Sequence, residues 1–319
     1  MAYKKRRSSS RSRLDSRAYN STLAYLNPFS NYISNPKVPD GRLHQSAGVR
    51  FQASAELRSE GTQSMAIMLT PFNNTPIVYT PSCTAGDEIL IPTDANGEYF
   101  PNVTTKQAQV DGETMSTRGI EITNYMPSIQ DVDNTSTKID KWRVVSQAMK
   151  LMLVNNTDNN NGYFEAIRFS LDRNDTASGD ADPAVVYGTK ISIDNLVQNP
   201  TYVSGKLRDL SKYSFQLKPV NTDHDPMEGY DQCHDKNLDA ILVVLHADQP
   251  MVGTTLRPTK VLCHAITNQE FLFNENNIMA RFHTGGIKDI RGLERAQSIL
   301  NNYISNPKVP DGRLHQSAG

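Results

Sequence analysis

The chain is poor in the residues that staple small folds or carry redox chemistry. It has three cysteines, Cys83, Cys233 and Cys263, an odd number with no CxxC pair, which argues against a disulfide framework. No apolar run approaches the roughly 18 residues a membrane-crossing helix needs, and no apolar stretch follows the basic N-terminus as a secretory leader requires. Neither secretion by that route nor a membrane partner is therefore expected. The local signals of nucleotide binding and nucleophile-elbow hydrolysis are missing: GxxxxGK[ST], GxGxxG and GxSxG do not occur. HExxH is absent as well, so the seven histidines have no zinc-protease spacing. Zinc held by Cys233, His234, Cys263 and His264 is disfavoured, because neighbouring residues on a strand point to opposite faces. No enzyme activity, cofactor or metal is expected.

Charge is unevenly placed. Within residues 1–17, Lys4, Lys5, Arg6, Arg7, Arg11, Arg13 and Arg17 face one Asp15, so this segment carries +6 and the net charge of −1 leaves −7 for the rest. The segment is also serine-rich and lacks apolar periodicity, the composition of a disordered arm. Such an arm neutralises phosphates and releases counterions, whereas an acidic body does not adhere to polyanions. These seven cations are the candidate nucleic-acid-binding residues. The run KKRR also reads as a nuclear-import signal, and the competing bland reading is a solvated tail. Behind the arm, Tyr19 and Tyr25 suit base stacking. Leu23, Tyr25, Leu26 and Phe29 equally suit an apolar anchor, the preferred reading.

From Val49 the pattern becomes period-two: Val49, Phe51, Ala53, Ala55 and Leu57 alternate with Arg50, Gln52, Ser54, Glu56 and Arg58, which predicts a half-buried strand. Strand-like runs follow at 65–69, 77–80, 118–123, 142–154, 163–169, 185–193, 213–220, 240–247 and 260–273. The 142–154 run also has partial helical spacing, and strand is preferred because Val145, Gln147, Met149, Leu151 and Leu153 alternate. Trp142, at its start, is assigned to the core. Asn155–Gly162 reads as a hairpin turn, 93–116 and 172–183 as surface loops, and Ile290, Leu293, Ala296, Gln297 and Leu300 as one face of a short surface helix. Asp223, Asp225, Glu228 and Asp231 form an acidic cluster read chiefly as a solvated loop, with a calcium site or an intersubunit salt-bridge partner as alternatives.

Many strands and almost no helix predict an all-β fold, a single jelly-roll β-sandwich of two packed antiparallel sheets behind the disordered basic arm. The expected divisions are an arm at 1–30, an extended segment at 31–48, a shell domain at 49–285 and a helix and tail at 286–319. The eighteen residues 31–48, NYISNPKVPDGRLHQSAG, recur identically at 302–319. Two copies so far apart make no solenoid. They arise by duplication or by reading a circular template past its start. Two identical segments cannot share one docking site in a subunit, so the second copy is expected to be weakly ordered or to compete for a neighbour's groove.

The basic arm, NPKVPDG at 35–41, the strand from Val49, WRVVSQAMKL at 142–151, NNGYFEAIRF at 160–169, DAILVVLHA at 239–247 and NQEFLFNENNIMARFHT at 268–284, in that order, resemble capsid proteins of small circular Rep-encoding single-stranded DNA viruses (CRESS-DNA viruses), in particular a bacilladnavirus-like group with a nodavirus-like jelly roll. The resemblance spans residues 1–285. It implies a homo-oligomeric icosahedral shell, of the larger T=3 kind, whose arm faces packaged single-stranded DNA, with a virion location and assembly in the host nucleus. The cell-surface receptor is unknown. Nodavirus-like shells cleave themselves at an Asn-Ala bond, and that dipeptide does not occur here, so no maturation cleavage is expected. An RNA-virus capsid and a lectin-like ligand-binding module are the alternatives.

Overall fold

The computed structural model describes residues 22–30, 35–41, 45–59, 64–71, 76–83, 88–90, 106–110, 113–120, 139–154, 162–170, 190–220, 225–228, 235, 237–246, 258–273, 283, 285 and 288–305. For 88–90, 106–110, 113–120, 139–140, 170, 190–195, 227–228 and 301–305 the backbone alone is described. Among the described residues there are fourteen strands: β1 Ser46–Arg58, β2 Ser64–Leu69, β3 Ile77–Cys83, β4 Glu88–Leu90, β5 Lys106–Val110, β6 Glu113–Ile120, β7 Ile139–Leu153, β8 Tyr163–Ser170, β9 Lys190–Ser192, β10 Val203–Lys206, β11 Phe215–Gln216, β12 Met227–Glu228, β13 Asp239–His246 and β14 Lys260–Phe273. Helix α1 covers 22–26 and helix α2 Ile290–Ser305. Single 3-10 turns lie at Ile193–Gln198 and Leu207–Lys212.

Two antiparallel sheets carry the fold. The first has the order β1-β14-β7-β11, with β12 also on β7, and the second the order β10-β8-β13-β2-β3-β6-β5. Between them the chain crosses from β1 to β2, β6 to β7, β7 to β8, β10 to β11, β12 to β13 and β13 to β14. In the first sheet β1, β14, β7 and the β11/β12 pair thus face β2, β13, β8 and β10 of the second, the strand arrangement of a jelly roll. Strands β3, β6 and β5 extend the second sheet beyond β2, and β4 and β9 form a separate ribbon.

Side chains explain the layering. Between the sheets lie Phe51 and Leu57 of β1, Trp142, Val144, Met149 and Leu151 of β7, Phe164 of β8, Ile241, Val243 and Leu245 of β13, and Val261, Cys263, Ala265 and Phe271 of β14. Trp142 is fully buried, so it belongs to the core as expected. Strand β1 keeps strict alternation because it is an edge whose other face carries Gln52, Ser54, Glu56 and Arg58 to solvent, and charge there discourages edge-to-edge pairing. Strand β13 does not alternate. Its second face joins Ala66, Met68, Val78, Ile167, Leu196, Ala240, Leu242 and Val244 in another apolar cluster, so both faces are dry.

Several expectations change. Residues 155–162 do not close a hairpin: β7 and β8 belong to opposite sheets, so the segment is a crossover, and 155–161 lie outside the described residues. The polar stretch 93–116 is not all loop, since β5 and the start of β6 pair Lys106 with Thr117 through Val110 with Glu113. The strand read at 213–220 shrinks to Phe215–Gln216, because the 3-10 turn holds the chain to Lys212 and Pro219 lacks an N–H to continue a ladder. Of the strand read at 185–193, residues 190–193 are described: Lys190–Ser192 are strand and Ile193 already opens a 3-10 helix. Residues 172–183 lie outside them. The first sheet already begins at Ser46, inside the segment 31–48. Helix α2, sixteen residues long, runs through Ser305 and so into the second copy of the repeat.

Candidate nucleic-acid interface

The root of the basic arm is fixed to the outer face of the first sheet. In helix α1, Ala24 and Tyr25 are buried with Val38, Val145 of β7, and Leu293, Ala296 and Leu300 of α2. The spacing of those three α2 residues makes one apolar stripe, which is why this helix docks rather than standing in solvent. Polar groups complete the joint: the Ser146 hydroxyl donates to the Ala24 carbonyl and Gln216 Nε2 to the Tyr25 carbonyl at 3.0 Å. Burial pushes the Tyr25 phenol well above its ordinary range. Tyr25 is thus an anchor rather than an exposed base-stacking platform, and Tyr19 lies outside the described residues.

Asn35–Gly41 follows as an extended strap over the same face, held by a buried ionic network. Arg143 of β7 forms ion pairs with Glu270 of β14 at 2.7 Å and Asp40 of the strap at 2.6 Å. Burial opposes the Arg143 charge, yet Glu270 and Asp40 outweigh it and hold the guanidinium protonated. Glu270 also accepts from the Val38 N–H at 3.1 Å and the Ser46 hydroxyl at 2.6 Å, while Lys37 Nζ reaches the Ser46 carbonyl at 2.5 Å. Two glycines permit the approach. Gly41 has φ +78°, and a Cβ at Gly48 would lie 2.2 Å from the Pro36 carbonyl oxygen.

Beside this strap the first sheet presents cations. The register aligns Arg50 with Asn268 and Ser146, and Ser54 with His264 and Lys150. Arg50 donates to the Ser30 carbonyl, Lys150 lies 4.5 Å over the Phe29 ring, and Phe29 meets His264 edge-on at 5.6 Å. Partial burial, then the charges of Lys150 and Arg50, hold His264 below its ordinary value. Arg50 and Lys150 therefore form a positive patch at the foot of the arm, with His264 beside them disfavoured from taking up a proton.

The arm cations Lys4, Lys5, Arg6, Arg7, Arg11, Arg13 and Arg17 lie outside the described residues. Sequence reasoning missed Arg50, Lys150 and His264. The alternation of β1 put Arg50 on the outward set, but nothing local showed that β14 and β7 would bring His264 and Lys150 alongside.

The remaining candidates do not converge on a site. The Cys263 side chain enters the core, where burial pushes its thiol to about 12, and His264 projects from the opposite face of β14. Cys233 and His234 lie outside the described residues, as do Asp223 and Asp231 of the acidic cluster. Asp225 is exposed and its carbonyl accepts from Asn237 at 2.8 Å, while only the backbone of Glu228 is described. Among the described residues no group of three or more His, Cys, Asp or Glu side chains is placed to hold a metal ion.

A family model described as Shotokuvirus capsid protein matches residues 16–234 and 227–306, nearly the whole chain. The chain belongs to the Shotokuvirus capsid protein family. It is a structural protein of the virion and not an enzyme, which sets the lectin-like alternative aside. Relatives named capsid protein agree. That of Chaetoceros diatodnavirus 1 is 28% identical, covering 85% of this chain and 77% of the relative. That of Chaetoceros protobacilladnavirus 2 is 26% identical, covering 87% and 82%. These viruses match the bacilladnavirus-like resemblance drawn from the sequence.

Among solved structures, T=1 particles derived from infectious bursal virus match at 9% identity with a TM-score of 0.43, covering 93% of this chain and 95% of that one. Tobacco necrosis virus matches at 13% identity and a TM-score of 0.32, covering 73% and 99%. The family match contains the whole first copy of the repeat and ends at Asn306.

Proposed function

We propose that this capsid protein assembles with copies of itself into an icosahedral shell of the larger, T=3 kind and packages circular single-stranded DNA through Lys4, Lys5, Arg6, Arg7, Arg11, Arg13 and Arg17. The carrying observation is the joint at residues 22–30. It ties the foot of a +6 arm to the face that displays Arg50 and Lys150, so the two sources of positive potential adjoin. The mechanism is electrostatic. Cations displace counterions condensed on the phosphates, which gives tight, salt-dependent binding without sequence readout. Buried anchoring of Ala24 and Tyr25 converts that binding into attachment of the genome to the shell. The KKRR run suits import of the chain into the host nucleus before assembly.

Salt titration of single-stranded DNA binding tests the mechanism. Each phosphate contact contributes about 0.7 to the slope of log K against log salt on single strands, so removing residues 1–17 lowers the slope by up to about 5. An unchanged slope and affinity would refute the role of the arm.

A further inference from the structure

The strap Asn35–Gly41 is a peptide ligand bound to a receptor that lies wholly outside it. Its partners are the Ser46 carbonyl for Lys37, Glu270 for the Val38 N–H, Arg143 for Asp40, the Gly48 N–H for Asn35 at 2.8 Å, and the Asp289 N–H for the Pro39 carbonyl at 3.0 Å. Lys288 pairs by backbone with Asp40 and packs against Gly41, whose positive φ leaves no room for a side chain. Every ligand residue has a twin 271 positions later: Asn306, Lys308, Val309, Asp311 and Gly312 repeat Asn35, Lys37, Val38, Asp40 and Gly41. Whatever chemistry the site recognises in the first copy, the second copy offers unchanged.

The bound strap and helix α2 both stand between the second copy and its own subunit's site. Helix α2 starts beside the strap, at Asp289, and runs without interruption to Ser305. At 1.5 Å per residue this carries Ser305 about 24 Å from Asp289. The place of Asn35 is only four residues from Pro39, hence within about 14 Å of it even fully extended. The second copy reaches that place in its own chain only if the end of α2 beyond Leu300 unwinds and the bound strap leaves, whereas docking on another chain keeps the helix intact.

We infer that residues 306–312 dock in trans, replacing the 35–41 strap of a second copy of this chain over its Arg143–Glu270 pair. The incoming segment offers the same side chains as the strap it displaces, so local concentration decides the exchange. A tethered strap holds its own site at an effective concentration of order millimolar. Trans docking therefore belongs to crowded chains, where neighbouring tails supply a comparable concentration. This goes beyond the shell reading and does not depend on nucleic acid.

The test uses the full chain. In a Lys37→Ala, Val38→Asp, Asp40→Ala variant the cis ligand is disabled and the tail intact, so the thermal midpoint is expected to rise with protein concentration, as mass action requires. Deleting 302–319 from that variant is expected to abolish the rise, and adding the eighteen-residue peptide NYISNPKVPDGRLHQSAG to restore the midpoint. Should the triple variant not fold, a photo-cross-linking benzoylphenylalanine in place of Val309 in the otherwise native chain gives a second reading. Irradiation of a concentrated mixture of light and heavy-isotope chains is expected to yield mixed covalent dimers joined near Val145 or Leu293. A midpoint insensitive to concentration and peptide, or cross-links confined within chains or away from those residues, overturns the inference.

Discussion

Arg143→Met is the most informative single substitution in the strap network. The guanidinium is 1% exposed and its partner Glu270 3% exposed, so the change leaves a buried carboxylate facing a thioether. Breaking a buried pair on one side costs about 3–5 kcal/mol. With an unfolding entropy of about 2.1 cal/mol/K per residue, a chain of this length loses about 4–7 °C in thermal midpoint. Scanning calorimetry reads the fall, and limited trypsin digestion localises it. Lys37, buried in the intact protein, becomes a cleavage site once Asp40 is no longer held. Replacing both partners, Arg143→Met with Glu270→Gln, removes the stranded charge and is expected to recover part of the loss, which a double-mutant cycle quantifies. A midpoint within about 1 °C of the native chain together with an uncut Lys37 refutes the assignment of the network as the lock on the strap.

Trp142→Ala opens a cavity between the sheets and is expected to cost about 3–5 kcal/mol by denaturant titration, against near-neutral behaviour for Gln52→Ala on the exposed face. Gly48→Ala drives a methyl into the Pro36 carbonyl, so it is expected to expose Lys37 to trypsin while leaving the β1–β14 ladder formed. Lys150→Glu at the foot of the arm is expected to lower the salt slope of single-stranded DNA binding by about 1 with stability unchanged. His264 binds protons less readily in the folded chain than at its ordinary value of 6.5. Its contribution to stability is therefore intact above about pH 6.5 and declines as pH falls from there toward the lower folded value. Lys150→Ala, by removing one repelling charge, is expected to move the His264 titration upward in NMR.

Legibility in the sequence followed what each segment must bury. Strand β14 was readable end to end, because Val261, Cys263, Ala265 and Phe271 mark a buried face inside one long ladder. The alternation of β1 was equally plain, since one face is core and the other solvent. The crossover at 155–162 was misread because turn chemistry reports that the chain bends, not which sheet its next strand joins. Strand β5 and the first part of β6 were hidden by KQAQV and ETMST, which lack an apolar stripe to announce a buried face, whereas the end of β6 fell in the run read from Arg118. The same limit applied to the surface patch. Arg50, Lys150 and His264 lie on three strands separated by about 100 residues each, and only the sheet register unites them. The apolar anchor at Tyr25 was readable from Leu23, Tyr25, Leu26 and Phe29, whereas its partners Val145 and Leu293 are named by packing that no local pattern specifies.

The central claim is that the arm packages the genome. Particles formed by the full chain and by a chain lacking residues 1–17 are to be purified, treated with nuclease, and their protected nucleic acid extracted and digested with DNA- and RNA-specific enzymes. The account predicts round particles with protected single-stranded DNA for the full chain, and particles of the same fold emptied of it for the shortened chain. Equal amounts of protected DNA in both, or protected RNA in place of DNA, would contradict it.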